Sequence, residues 1–175
     1  TGRDVDYVRA EEIVRDMVAD GGGDEAAALA ALVYASRADE LFAPVGPARE
    51  ALARAEAAAP KQPETCAARG YLELRSGEVS TARANLVGCA ERHPRDPWLR
   101  YLLGRALMNA GDRAGAATQL DAALEVSPGM VAALVAKAEL HAAAGRWDDA
   151  KVMLARVPVP DHSQALLARA RVALG

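Results

Sequence analysis

The feature that most constrains this chain is self-similarity at a fixed interval of 34 residues. Shifted by that distance, Ala48, Ala82, Ala116 and Ala150 coincide, and so do Leu52, Leu86, Leu120 and Leu154, each four residues later. Ser36, Gly70, Gly104 and Ala138, all small, stand twelve residues before those alanines. Gly77, Gly111 and Gly145 recur before the last three alanines, and Pro60, Pro94 and Pro128 close three of the units. A unit of this length cannot bury its apolar face alone. Stacking one unit on the next makes the core, and stability then comes from the interfaces between neighbours.

Each unit reads as two helices. Hydrophobic residues make up 51% of the 175 residues, yet there is one Phe and aromatics total 4%, so the core must be built from Ala, Leu and Val. Ala and Leu are strong helix formers. The stretch Gly104–Pro128 shows the grammar. Gly111 supplies the left-handed conformation that ends a first helix. Asp112 is placed to cap a second helix, with Gly115 three residues on. Pro128 cannot continue that helix. Gly104 and Ala116 are small where antiparallel helices must approach closely.

These columns resemble the tetratricopeptide repeat (TPR) family, whose unit is helix A, a tight turn and helix B. The resemblance implies an all-α, right-handed superhelical solenoid of antiparallel helix pairs with about ten helices. In that register residues 24–160 hold four units, at 29–62, 63–96, 97–130 and 131–160. Residues 1–23 read as the second helix of an upstream half-unit, placing Ala10, Val14 and Met17 as Ala116, Leu120 and Ala123 are placed, followed by a flexible link at Gly21–Gly23. Residues 161–175 read as a further half-unit or a capping helix. The first unit departs at its turn, Leu41 to Pro47, where helix A is expected to end early. The fourth ends early at Val157-Pro158-Val159-Pro160.

The resemblance also implies a concave groove lined by helix A, where such proteins hold peptides or partner domains. Its positions here include Arg37 and Glu40, then Tyr71, Leu74 and Arg75, then Trp98, Tyr101, Leu102, Arg105, Met108 and Asn109, then Val135 and Glu139. Trp, Tyr, Met and Arg are enriched at binding surfaces. The expected groove residues are therefore Arg37, Tyr71, Arg75, Trp98, Tyr101, Arg105, Met108 and Asn109, able to hold an apolar or acidic segment. The alternative is that Trp98 and Tyr101 pack between units. The Lys and Asn clamp of chaperone-tail readers is absent: in one frame its positions are Ala67, Tyr71, Leu102, Ala132 and Ala136, in the other Val33, Arg37, Ala68, Trp98 and Leu102.

Nothing else in the sequence points to chemistry. Gly21–Gly23 lacks the Lys-Ser/Thr that follows a phosphate-binding loop. Cys66, Cys89 and His93 share a unit but form neither a CxxC nor an HxxxH pair. The cysteines read as buried free thiols acting as small hydrophobes, with a disulfide as the alternative if the protein is exported. His141 and His162 have no catalytic neighbours in sequence. No catalytic residue, metal site or cofactor is expected. The net charge of −3, with both signs interspersed, argues against a nucleic-acid partner. No apolar run is long enough to insert in a bilayer, and Thr1-Gly2-Arg3-Asp4 is no secretory leader. The expectation is a bacterial scaffold or adaptor that binds a protein or peptide, in a pilus, secretion or cell-polarity assembly. Self-association or a linker role in a longer chain is the alternative. A cytoplasmic location is expected, with the periplasm or cell surface open because the chain reads as a window on a longer array.

Overall fold

The computed structural model describes the backbone of residues 2–38, 45–158 and 163–174, and the side chains of 9–35, 45–158 and 165–173. Within these residues the secondary structure is helical throughout. In order the helices are α1 (Gly2–Ala19), α2 (Gly23–Ala38), α3 (Gly46–Ala58), α4 (Pro63–Arg75), α5 (Val79–Arg92), α6 (Pro97–Asn109), α7 (Arg113–Val126), α8 (Val131–Ala142), α9 (Trp147–Ala155) and α10 (Ser163–Leu174). They divide into two compact units, Thr1–Arg92 and His93–Gly175. In the first, α2 pairs with α3 and α4 with α5, while α1 packs on α2 and α4 on both α2 and α3. In the second, α6 pairs with α7 and α8 with α9; α8 also packs on α6 and α7, and α10 on α8 and α9.

The repeating columns are the core. Ala48, Ala82, Ala116 and Ala150 are all fully buried, and Leu86, Leu120 and Leu154 are buried with them. Alanine recurs because the helices meet there: a side chain larger than a methyl would hold the backbones apart. The hairpin turns follow from the residues between the helices. Gly111 has φ +82°, and Gly77 and Gly145 adopt the same left-handed conformation. After Gly111 the chain turns back, with Gly111 N–H donating to Met108 O at 3.0 Å and Asp112 N–H to Leu107 O at 2.9 Å. This closes the free carbonyls of the helix end. Asp112 Oδ1 then accepts from Gly115 N–H at 2.9 Å, and Asp96 Oδ1 from Leu99 N–H at 2.8 Å, capping α7 and α6.

Two local expectations change. Gly21–Gly23, expected as a flexible link, forms a tight turn in which Gly22 N–H donates to Met17 O at 2.9 Å, and α2 begins at Gly23. Val14 is buried as its column requires, but Met17 is exposed where Ala123 is fully buried. Of the turn expected from Leu41 to Pro47, residues 41–44 lie outside the described residues, and Gly46 and Pro47 already belong to α3. In the fourth repeat the second helix, α9, has 9 residues where α5 and α7 have 14, and stops short of Pro158.

Candidate partner-binding groove

Helix α6 carries most of the expected groove residues of the second unit. Pro97 starts the helix, its missing N–H costing nothing in the first turn. Trp98 is 39% exposed, whereas Tyr101 is only 4% exposed. Their rings meet edge to face, with centroids 5.8 Å apart and planes at 81°. The face that Tyr101 shares with Leu102 is buried. Tyr101 is therefore a support for Trp98 rather than a surface a partner would touch. Arg105 and Met108 are half-buried and Asn109 is exposed.

One turn further along α6, charge links three successive first helices. Arg105 Nη1 of α6 lies 4.0 Å from Glu139 Oε2 of α8, and Arg171 Nη1 of α10 lies 3.6 Å from Glu139 Oε1. Two guanidinium groups thus share one carboxylate. All three side chains are partly open to solvent, so these pairs add little to stability; their effect is to set charged side chains of three helices along one line. Beside it, Ala142, Ala143, Trp147, Ala168 and Val172 line an open, mostly apolar pocket whose rim is Glu139 and Arg171. Below α8, Lys137 is ion-paired with Asp121 of α7.

In the first unit the expected residues are more dispersed. Tyr71 is half-buried against the alanine-rich core formed by Ala31, Ala35, Ala51 and Ala68. Arg75 is exposed at the end of α4. The side chain of Arg37 lies outside the described residues. Two further groups are electrostatically perturbed. Burial pushes the Glu73 carboxyl above the usual range, against the opposing hydrogen bond from Asn85 Nδ2 (2.6 Å) and the charge of Arg69. Burial, and then the neighbouring Arg146, hold His141 below the usual histidine range, with Asp149 opposing. His141 Nδ1 accepts from Arg146 Nε at 3.1 Å, as a neutral imidazole does.

The cysteines are not the free thiols expected. Cys66 of α4 and Cys89 of α5 form a disulfide, with Cα atoms 6.2 Å apart, and both residues are 3% exposed. The repeat register brings the start of helix A against the end of helix B, so the pair meets across the hairpin. Two residues that sequence reasoning missed, Trp147 and Arg171, sit outside the groove positions implied by the repeat. The early end of the fourth repeat breaks the 34-residue register before α10, so no shift of the sequence points to Arg171.

A model described as Tetratricopeptide repeat matches residues 73–125 and 110–174, together more than half of the chain. The chain belongs to the tetratricopeptide repeat family. TPR proteins bind protein or peptide partners. TTC0263, a thermophilic TPR protein of Thermus thermophilus, has the same fold, with a TM-score of 0.75 at 21% identity over 97% of this chain and 91% of that one. YrrB, a TPR protein with an unusual peptide-binding site, superposes at a TM-score of 0.59 with 22% identity, over 96% and 86% of the two chains. Among curated proteins, cellulose synthase operon protein C of Pseudomonas fluorescens (strain SBW25) is 27% identical over 94 residues, 54% of this chain. The match spans 7% of that relative's length. No helix among the described residues is long and apolar enough to cross a membrane.

Proposed function

We propose that this TPR chain is a non-catalytic scaffold that holds a partner segment against the first helices of the unit His93–Gly175. The observation that carries this reading is the line Arg105–Glu139–Arg171, which runs from α6 through α8 to α10 at the apolar pocket lined by Trp147, with the exposed Trp98 two turns before Arg105 on α6. A segment with an acidic side chain would compete with Glu139 for the guanidinium groups, and a neighbouring apolar side chain would enter the pocket. Met108 and Asn109 extend the same helix toward its end. Arg37, Tyr71 and Arg75 stand in the other unit on the first helices of its repeats. The peptide-binding site named for YrrB supports a peptide as the partner. The setting we propose is a bacterial assembly such as a pilus, secretion or cell-polarity machine. Peptides selected on the immobilised chain from a random display library test the reading. They should be enriched in Asp or Glu next to aromatic or aliphatic residues, and Trp98→Ala should weaken them. Selection of basic or featureless peptides would contradict it.

Self-association is the second reading, favoured by apolar side chains exposed on two helices. Ile13 and Val18 of α1 and Leu166 and Leu167 of α10 are all exposed. Sedimentation at rising concentration separates the readings, since a dimer or larger species lost on Leu167→Lys would support self-association.

A further inference from the structure

The second repeat buries less hydrocarbon than the third. Helix α4 buries Thr65, Cys66, Ala67, Ala68, Gly70 and Leu72, and α5 buries Ala82, Leu86, Cys89 and Ala90. Leu72 and Leu86 are thus the large aliphatic side chains of that hairpin's interior. By contrast, α6 and α7 bury five leucines, Leu99, Leu102, Leu103, Leu120 and Leu124, together with Tyr101. Thr65, fully buried beside Cys66, weakens the second hairpin further, because its hydroxyl has no hydrogen-bond partner among the described residues. Displacing Cys66 and Cys89 by two repeats maps them onto Leu134 and Val157 of the fourth, and both of those are buried aliphatic side chains. The disulfide stands where another repeat has apolar packing.

We propose that Cys66–Cys89 is a structural staple. It supplies the cohesion that the alanine-rich second repeat lacks, and it is closed by oxidation, so the protein works in an oxidising compartment such as the periplasm or cell surface. Disulfides form and persist in such compartments and are rare where thiols are kept reduced. This placement replaces the cytoplasmic one expected from sequence. Closure needs a disulfide oxidant. The thiolate of one cysteine attacks a sulfur of the oxidant's disulfide, and the second thiolate resolves the mixed disulfide. Two protons are released, and the oxidant leaves as its dithiolate, which takes up protons, carrying the two electrons. Arg92 Nη2 lies 3.2 Å from Cys89 Sγ and 3.6 Å from Cys66 Sγ. A cation there favours the thiolate, most strongly at Cys89, which is therefore assigned the first attack. Burial then separates the finished bond from soluble reductants. Redox-sensing cysteines, by contrast, are solvent-accessible.

The test reads the thiols directly. Protein taken from the cells that make it is quenched in acid and treated with maleimide in denaturant. By intact mass, neither cysteine should be labelled before reduction and both after it. Labelling of both before reduction would overturn the proposal. The purified bridged protein should also resist a millimolar dithiol until denaturant is added. Reduction within minutes under native conditions would make the bond a switch and overturn the staple. Cys66→Ala with Cys89→Ala should melt about 5–15 °C lower. If that variant does not fold, Cys66→Leu with Cys89→Val, which copies the fourth repeat, carries the comparison. It should fold in reductant yet melt below the bridged protein. Melting at or above the bridged protein, by either variant, would overturn the proposal.

Discussion

Leu86 lies directly over Gly70: a Cβ on Gly70 would stand 2.7 Å from Leu86 Cδ2. One repeat later a Cβ on Gly104 would stand 3.0 Å from Leu120 Cδ2 and 3.5 Å from the Ala116 carbonyl oxygen. The small residue of helix A and the leucine of helix B therefore form one contact, used in successive repeats. The absence of a side chain at one partner sets how closely the two helices approach.

Gly70→Val and Gly104→Val should each force that contact apart. Overpacking costs roughly 1–3 kcal/mol, and replacing glycine by valine in a helix returns only a few tenths of a kcal/mol. The loss should be larger at Gly70, where the space is tighter. Thermal melts by circular dichroism measure both. An unchanged melting temperature at either position would show that it is not a helix-contact site.

Asp112→Ala should remove the acceptor for Gly115 N–H and cost about 1 kcal/mol. Asp96→Ala should cost a similar amount at the start of α6 through Leu99 N–H. Urea titration should show lower midpoints with little change of slope. A variant with an unshifted midpoint would mean that the cap contributes nothing in solution.

Glu73 should make stability depend on pH. Its carboxyl holds a proton more tightly in the folded chain than in the unfolded one. The folded state is therefore favoured at low pH, and that contribution is lost as pH rises from the ordinary glutamate range through the raised folded value. Glu73→Gln keeps an acceptor for Asn85 without the charge, so it should be the more stable protein at pH 7 and lose that advantage near pH 4. His141 acts in the opposite sense. Its folded value is lowered, so its contribution is present above the ordinary histidine range and is lost as pH falls through it. A Glu73→Gln difference that does not vary with pH would contradict the assignment.

Much of the fold was legible because repeated columns report repeated contacts. Ala82 and Ala116 are buried for one reason, and Gly77 and Gly111 turn the chain by one geometry. The cap at Asp112 was readable for the same reason, since capping depends on residues three apart. The disulfide was not, because burial suits a thiol and a disulfide equally and spacing alone does not set pairing. Tyr101 was assigned to the groove from its position in the repeat. Position gives the side of a helix, but a large ring beside Leu102 and Leu103 turns inward when that side borders the core. Arg171 was out of reach because a shortened α9 and Pro158 break the period before α10.

The most direct test of the account is the affinity of a selected acidic, apolar peptide for three proteins: the parent chain, Arg105→Glu, and Arg113→Glu as an exposed control at the start of α7. Titration calorimetry gives the affinities, and thermal melts confirm that all three are folded. Reversal of charge beside Glu139 should weaken binding by about thirtyfold, equivalent to about 2 kcal/mol, while the control stays within about threefold of the parent. Equal losses in both variants, or none in Arg105→Glu, would contradict a binding groove along α6, α8 and α10.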